Sequence, residues 1–124
     1  MRAFLKRGLW AVLAAVASDT HVVGSVAPMY GSEVTGHKLE IYERRDGSLA
    51  HVRAIPVPVA VRSSLTLSGD HVAGGLADHP TQMANLSTGV VRSLDAEAGG
   101  SNIAFTPSHV VIGGFGSLRA FLLD

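Results

Sequence analysis

The chain has 124 residues, ten of them basic and ten acidic, for a formal net charge of zero, and it contains no cysteine. That length holds one domain at most. The missing cysteine excludes disulfides, thiolate zinc sites and cysteine nucleophiles. The charges are scattered, and Lys38 to Arg45 is a mixed run, unlike the clustered Lys and Arg of a nucleic-acid surface.

The N-terminus supports two readings. Residues 1–8 carry Arg2, Lys6 and Arg7, Leu9 to Val16 is apolar, and Ala15-Val16-Ala17 is a small-residue pattern ahead of Ser18. That is the layout of a secretory signal peptide over residues 1–17. It predicts a periplasmic or extracellular protein; without export the chain stays cytoplasmic. The apolar stretch is well short of the roughly 20 residues a bilayer span needs. The second reading is internal, because Arg2-Ala3-Phe4-Leu5 is identical to Arg119-Ala120-Phe121-Leu122. On that alignment Gly8-Leu9-Trp10 starts a turn and strand. Gly8 lies 13 residues before His21, however, whereas the turn glycines Gly47 and Gly89 precede His71 and His109 by 24 and 20. Thirteen residues are few for two strands of about 5 residues and a connection, which favours the signal reading.

From Ser18 onward the chain repeats itself. Asp19-Thr20-His21-Val22-Val23-Gly24, Asp70-His71-Val72-Ala73-Gly74-Gly75 and Ser108-His109-Val110-Val111-Ile112-Gly113 share one pattern. It is a polar turn, a histidine, a β-branched run and a small-residue stop. A second strand-like run follows each: Lys38 to Tyr42, Thr81 to Leu86 and Leu118 to Leu122. Gly turns at Asp46-Gly47 and Thr88-Gly89 lead into Leu49 to Ile55 and Val90 to Leu94. Gly supplies positive φ at such bends and Asp supports them. Short apolar runs, Ser64 to Leu67 and Asn102 to Phe105, precede the second and third histidines. The unit is therefore strand, tight turn, strand, variable loop, strand, Gly turn, strand. Length differences sit mainly in the loop after the histidine strand, which holds the insert Val26 to His37 in the first copy and Ala77 to Pro80 in the second. Ile55-Pro56-Val57-Pro58-Val59 reads as an extended linker between units.

Four antiparallel strands in roughly 40–45 residues is the size of one propeller blade. The pattern resembles β-propeller repeats of the quinoprotein or WD40-like kind. Quinoprotein-type repeats often end a strand in Ala-x-Asp-x-x-Thr-Gly. Asn85-Leu86-Ser87-Thr88-Gly89 and Tyr42-Glu43-Arg44-Arg45-Asp46-Gly47 are similar to that phrase, and Ala120 to Asp124 begins it. The resemblance implies an all-β fold of consecutive four-stranded antiparallel propeller-type blades. Residues 18–124 would supply about two and a half, an incomplete propeller. No Trp stands between Ser18 and Asp124, where blades of that family carry one after the Gly turn, so no quinone or other cofactor is expected.

The histidines carry what chemistry the repeat offers. His21, His71 and His109 hold one position per unit and are weak candidates for a metal-binding or titrating ring. The alternative is that each ring bonds locally at its turn. His37, His51 and His79 share no repeat position. Asp70-His71 with Ser68 suggests a dyad and nucleophile, but adjacent strand residues point to opposite faces and no nucleophile elbow is present. Gly113-Gly114-Phe115-Gly116 lacks the lysine of a phosphate loop and reads as a hairpin. Asn85-Leu86-Ser87 matches a glycosylation sequon. No catalytic constellation emerges. The expected function is a non-catalytic binding or scaffolding module for a protein or peptide, with self-association through open sheet edges. The alternative is a fragment of a quinoprotein-like propeller enzyme.

Overall fold

The computed structural model describes residues 10–28, 36–76, 79–94, 102–114 and 116–123. Every regular element among them is a strand, and the strands form three antiparallel meanders in chain order. The first sheet is β1 (Trp10–Ala17), β2 (His21–Pro28), β3 (Lys38–Arg45) and β4 (Ser48–Pro56). The second is β5 (Ser63–Ser68), β6 (His71–Gly75), β7 (Thr81–Asn85) and β8 (Val91–Leu94), and the third is β9 (Asn102–Phe105), β10 (His109–Gly114) and β11 (Ser117–Leu122).

In the first and third histidine turns a hydroxyl three residues before the ring caps the bend. Ser18 Oγ accepts the backbone N–H groups of Thr20 and His21, and Thr106 Oγ1 accepts those of Ser108 and His109. In the second unit Ser68 pairs with His71, and Gly69 takes the positive φ of 56° that closes the bend. At Asp46-Gly47 both residues have positive φ, 45° and 82°, as a two-residue primed hairpin requires. The turn after β7 is built by Asn85, whose Oδ1 accepts the N–H groups of Ser87 and Thr88. The sequon asparagine is therefore a turn former.

The sheets pack face to face along two seams. The first holds Val23, Leu39, Ile41 and Ile55 of the first sheet against Val72, Ala84 and Leu86 of the second. The other puts Ala73, Met83 and Leu94 of the second sheet against Val110 and Ile112 of the third, with Phe105 and Phe121 packed on them. Period-two alternation produces this: in β3, Leu39 and Ile41 enter the seam while Lys38, Glu40 and Tyr42 share the other face. The first strands of successive sheets neighbour one another, β1 beside β5 and β5 beside β9.

The Ile55 to Val59 stretch joins the first sheet to the second, and Val57, with Val61 beyond the stretch, is buried in the first seam. Burying them fixes how the second sheet follows the first. Trp10–Ala17, the apolar part of the expected signal segment, is strand β1, paired with β2 from Trp10–Pro28 to Ala17–Val22. It occupies the position that β5 and β9 hold in their units.

Candidate binding groove

A groove of about 350 Å³ opens where the first seam reaches the histidine-turn end of the sheets. Ile41 and Leu86 give it apolar surface, and His21, Glu43, Arg53, Asp70 and Ser87 bring polar groups. Strand register places His21, Glu43 and Arg53. His21 opens β2 and lies opposite Glu43 in β3, which holds His21 Nε2 and Glu43 Oε2 4.0 Å apart. Arg53 in β4 lies opposite Ile41. Asp70 comes from the β5–β6 turn and Ser87 from the turn after β7.

Most of these groups are already engaged. Glu43 Oε1 accepts from Arg45 Nε at 3.1 Å and Nη2 at 2.7 Å. The Arg45 hydrogen bonds, with the Arg45 and His21 charges behind them, hold the Glu43 carboxyl below the usual carboxylate range. A carboxylate fixed in its ionised form does not suit proton shuttling near neutral pH. His21 Nδ1 is 2.9 Å from Thr20 Oγ1, and His109 Nδ1 is 2.7 Å from Ser108 Oγ. The rings thus engage the hydroxyl of the preceding residue. His71 has an aspartate at that place and faces Phe105, with ring centroids 6.5 Å apart.

Arg53 and Arg92 are the inter-sheet clasps that the repeat reading missed. Arg53 Nη2 donates to Ser87 O at 2.8 Å, clasping the first sheet to the second. Arg92 Nη1 donates to Leu122 O at 2.9 Å, clasping the second to the third. Their registers are equivalent: Arg53 faces Ile41 and Arg92 faces Met83, each two residues before the partner of its unit's histidine. The signal was in the sequence, as Val52-Arg53-Ala54-Ile55 beside Val91-Arg92-Ser93-Leu94.

A second polar cluster lies on the outer face of the first sheet. Glu40 is buried, held by His51 Nε2 at 2.8 Å and Lys38 Nζ at 3.8 Å. Lys38 Nζ also lies 4.3 Å from the Trp10 ring centroid, a cation–π distance. Tyr42 packs edge-on to His51, with centroids 5.2 Å apart. Burial, with the Glu40 charge behind it, pushes the Tyr42 phenol above its ordinary value of 10.0. This arrangement pairs a buried charge, as burial demands.

His21, His71 and His109 stand at the first residue of β2, β6 and β10. They are not brought together: among the described residues no group of three or more His, Cys, Asp or Glu has the placement to hold a metal ion. Gly113 and Gly114 end β10 and Gly116 turns the chain with φ of 69° into β11, while Phe115 lies outside the described residues. No helix of the described residues is long and apolar enough to cross a membrane.

No family model matches the chain, and no curated protein sequence matches it. Solved structures similar to it include two computationally designed proteins. The match to the designed Ika4 protein has a TM-score of 0.56 at 15% identity and covers 92% of each chain. The match to the designed Ika8 protein has a TM-score of 0.54 at 15% identity, covering 91% of this chain and 46% of that one. At this identity the likeness concerns the fold alone.

Proposed function

We propose that the chain is a non-catalytic binding module whose groove between the first and second sheets accepts a polar peptide segment. The observation that carries this is the state of the groove's charged groups. Arg53 is committed to Ser87 O and Glu43 to Arg45, so they present fixed charge of both signs beside apolar surface. Such a wall recognises a ligand without doing chemistry on it. We read the three stacked sheets as consecutive blades of an incomplete propeller, supported by the serial seams and by the neighbouring first strands. On that reading the groove is one interblade rim cleft, built by the ends of β2, β3 and β4 together with the turns that carry Asp70 and Ser87. To test it, a random peptide library is panned on the 124-residue chain, and a selected peptide is titrated into ¹⁵N-labelled protein. Amide shifts should centre on His21, Glu43, Asp70 and Ser87, and Asp70→Asn should weaken binding several-fold. Peptides that bind only elsewhere, or ignore Asp70→Asn, would refute the assignment.

A further inference from the structure

Each histidine turn sets its ring across from a third-strand residue. His21 lies opposite Glu43, His71 opposite Asn85 and His109 opposite Leu122. Of these three pairs the first alone puts an acid opposite the ring. In the second, Asn85 Oδ1 accepts the N–H groups of Ser87 and Thr88, and in the third the partner is apolar. His21 and Glu43 both line the first-seam groove. His21 therefore stands where its protonation changes the charge of a cavity wall.

The two oxygens of Glu43 are used differently. Oε1 accepts both Arg45 bonds, while Oε2 has no hydrogen bond among the described residues. His21 Nε2 stands 4.0 Å from Oε2, too far for a hydrogen bond but close enough to form an ion pair once the ring is charged. The ring is anchored at its other nitrogen, 2.9 Å from Thr20 Oγ1. A neutral ring leaves Oε2 open to the groove as an acceptor. A protonated ring donates from both nitrogens, with Nδ1 directed to Thr20 Oγ1 and Nε2 to Glu43 Oε2.

The surrounding charges leave this pair as the part of the groove that responds near neutral pH. His21 is flanked from its own turn by Asp19, from β3 by Glu43, Arg44 and Arg45, from β4 by Arg53, and across the seam by Asp70. Arg44 is tied to Ser18 O, Arg53 to Ser87 O and Arg45 to Glu43. Arginine keeps its charge throughout, and carboxylates in general lose theirs only below about pH 5. Histidine as a residue type changes charge between roughly pH 5 and 8. The Arg45 hydrogen bonds hold the Glu43 carboxyl below the usual carboxylate range, so it stays ionised across that window.

We propose, given the groove reading, that Glu43 Oε2 is the acceptor for a peptide N–H or ammonium group, and that protonation of His21 withdraws it, so the groove releases its peptide as pH falls. The charged ring competes for the same oxygen and repels a cationic donor.

The probe is a groove-binding peptide from the panned library, chosen without histidine and with a blocked N-terminus, so that it carries no group titrating between about pH 5.5 and 7.5. Calorimetric titration of the full chain should show affinity several-fold weaker at the lower pH. His21→Gln should bind equally at both, with circular dichroism confirming its fold, whereas His71→Gln and His109→Gln should keep the whole pH effect. In the peptide-free protein, the Glu43 carboxyl carbon signal should move with the His21 ring signals across the same range. An affinity indifferent to pH, a His21→Gln variant that keeps the pH effect, or a Glu43 signal that ignores the His21 titration overturns the gate. Each of these leaves the groove reading standing. A library that yields no groove-binding peptide overturns the groove reading, and the gate falls with it.

Discussion

Gly74→Ala tests the packing of the first seam. Gly74 lies within β6 and is buried. A Cβ built there collides with Val61 Cγ1 and comes within 3.3 Å of the Leu65 backbone. The cause is local. The β5–β6 register shifts between Ser63 and Thr66, and Ser64 takes a φ of 57°, so β5 bulges over the glycine. Val61 is 1% exposed and, being β-branched, has few ways to yield. Overpacking of this kind costs about 1–3 kcal/mol. With roughly 2.1 cal/mol/K of unfolding entropy per residue, a chain of this size loses about 4 °C per kcal/mol, or about 4–12 °C here. Gly24 is the internal control. It holds the same register position in the first sheet, and a Cβ there meets nothing within 4 Å. Gly24→Ala should be neutral or stabilising by up to about 1 kcal/mol, as an interior strand glycine is relieved. Thermal and urea unfolding of the two variants decide the matter. Equal stability, or Gly74→Ala the more stable, refutes the seam geometry.

Three further outcomes follow from the same packing. Thr81 is fully buried and its Oγ1 has no hydrogen-bond partner, so Thr81→Val should stabilise the chain by about 1 kcal/mol in urea titrations; a loss would mean the hydroxyl is satisfied. The Tyr42 phenol has its folded pKa raised above 10.0 by burial and then by Glu40. Its contribution is intact below the unfolded value and is lost as pH rises through the folded one. Tyr42→Phe should therefore flatten the alkaline fall in stability, and an unchanged slope would contradict the assigned burial. Deleting residues 1–17 removes β1 and bares the edge of β2, so the shortened chain should melt lower or aggregate. An exported form beginning at Ser18, found by mass spectrometry and as stable as the full chain, would show that β1 is dispensable and favour the signal reading.

The parts of the fold that were legible in the sequence are those set by neighbours in the chain. The histidine turns, the Asp46-Gly47 hairpin and the Gly116 bend depend on hydroxyls and positive φ within a few residues, so Ser18, Asp46, Gly69 and Gly116 announce them. The groove was not legible, because His21 and Glu43 meet only through the β2–β3 register, and Asp70 and Ser87 arrive across a seam. Arg53 and Arg92 were readable as a matched pair, but not as clasps, since their acceptors are backbone carbonyls that any sequence supplies. Ile55 to Val59 read as an extended linker because prolines flank Val57. It does join two sheets, and the burial of Val57 makes it part of the core as well.

The backbone of the unit recurs, but its interior does not. Register makes Leu39 and Ile41 of the first sheet equivalent to Thr81 and Met83 of the second, and makes Gly24, Gly74 and Ile112 one position. An aliphatic surface therefore fills one seam, while a thioether and two phenyl rings fill the other. If the units descend from a duplicated ancestor, each interface has since been retailored to its own neighbour. A verbatim copy of one unit would no longer fit in another's slot, so the order of the sheets is written into their facing surfaces as well as into the chain that joins them.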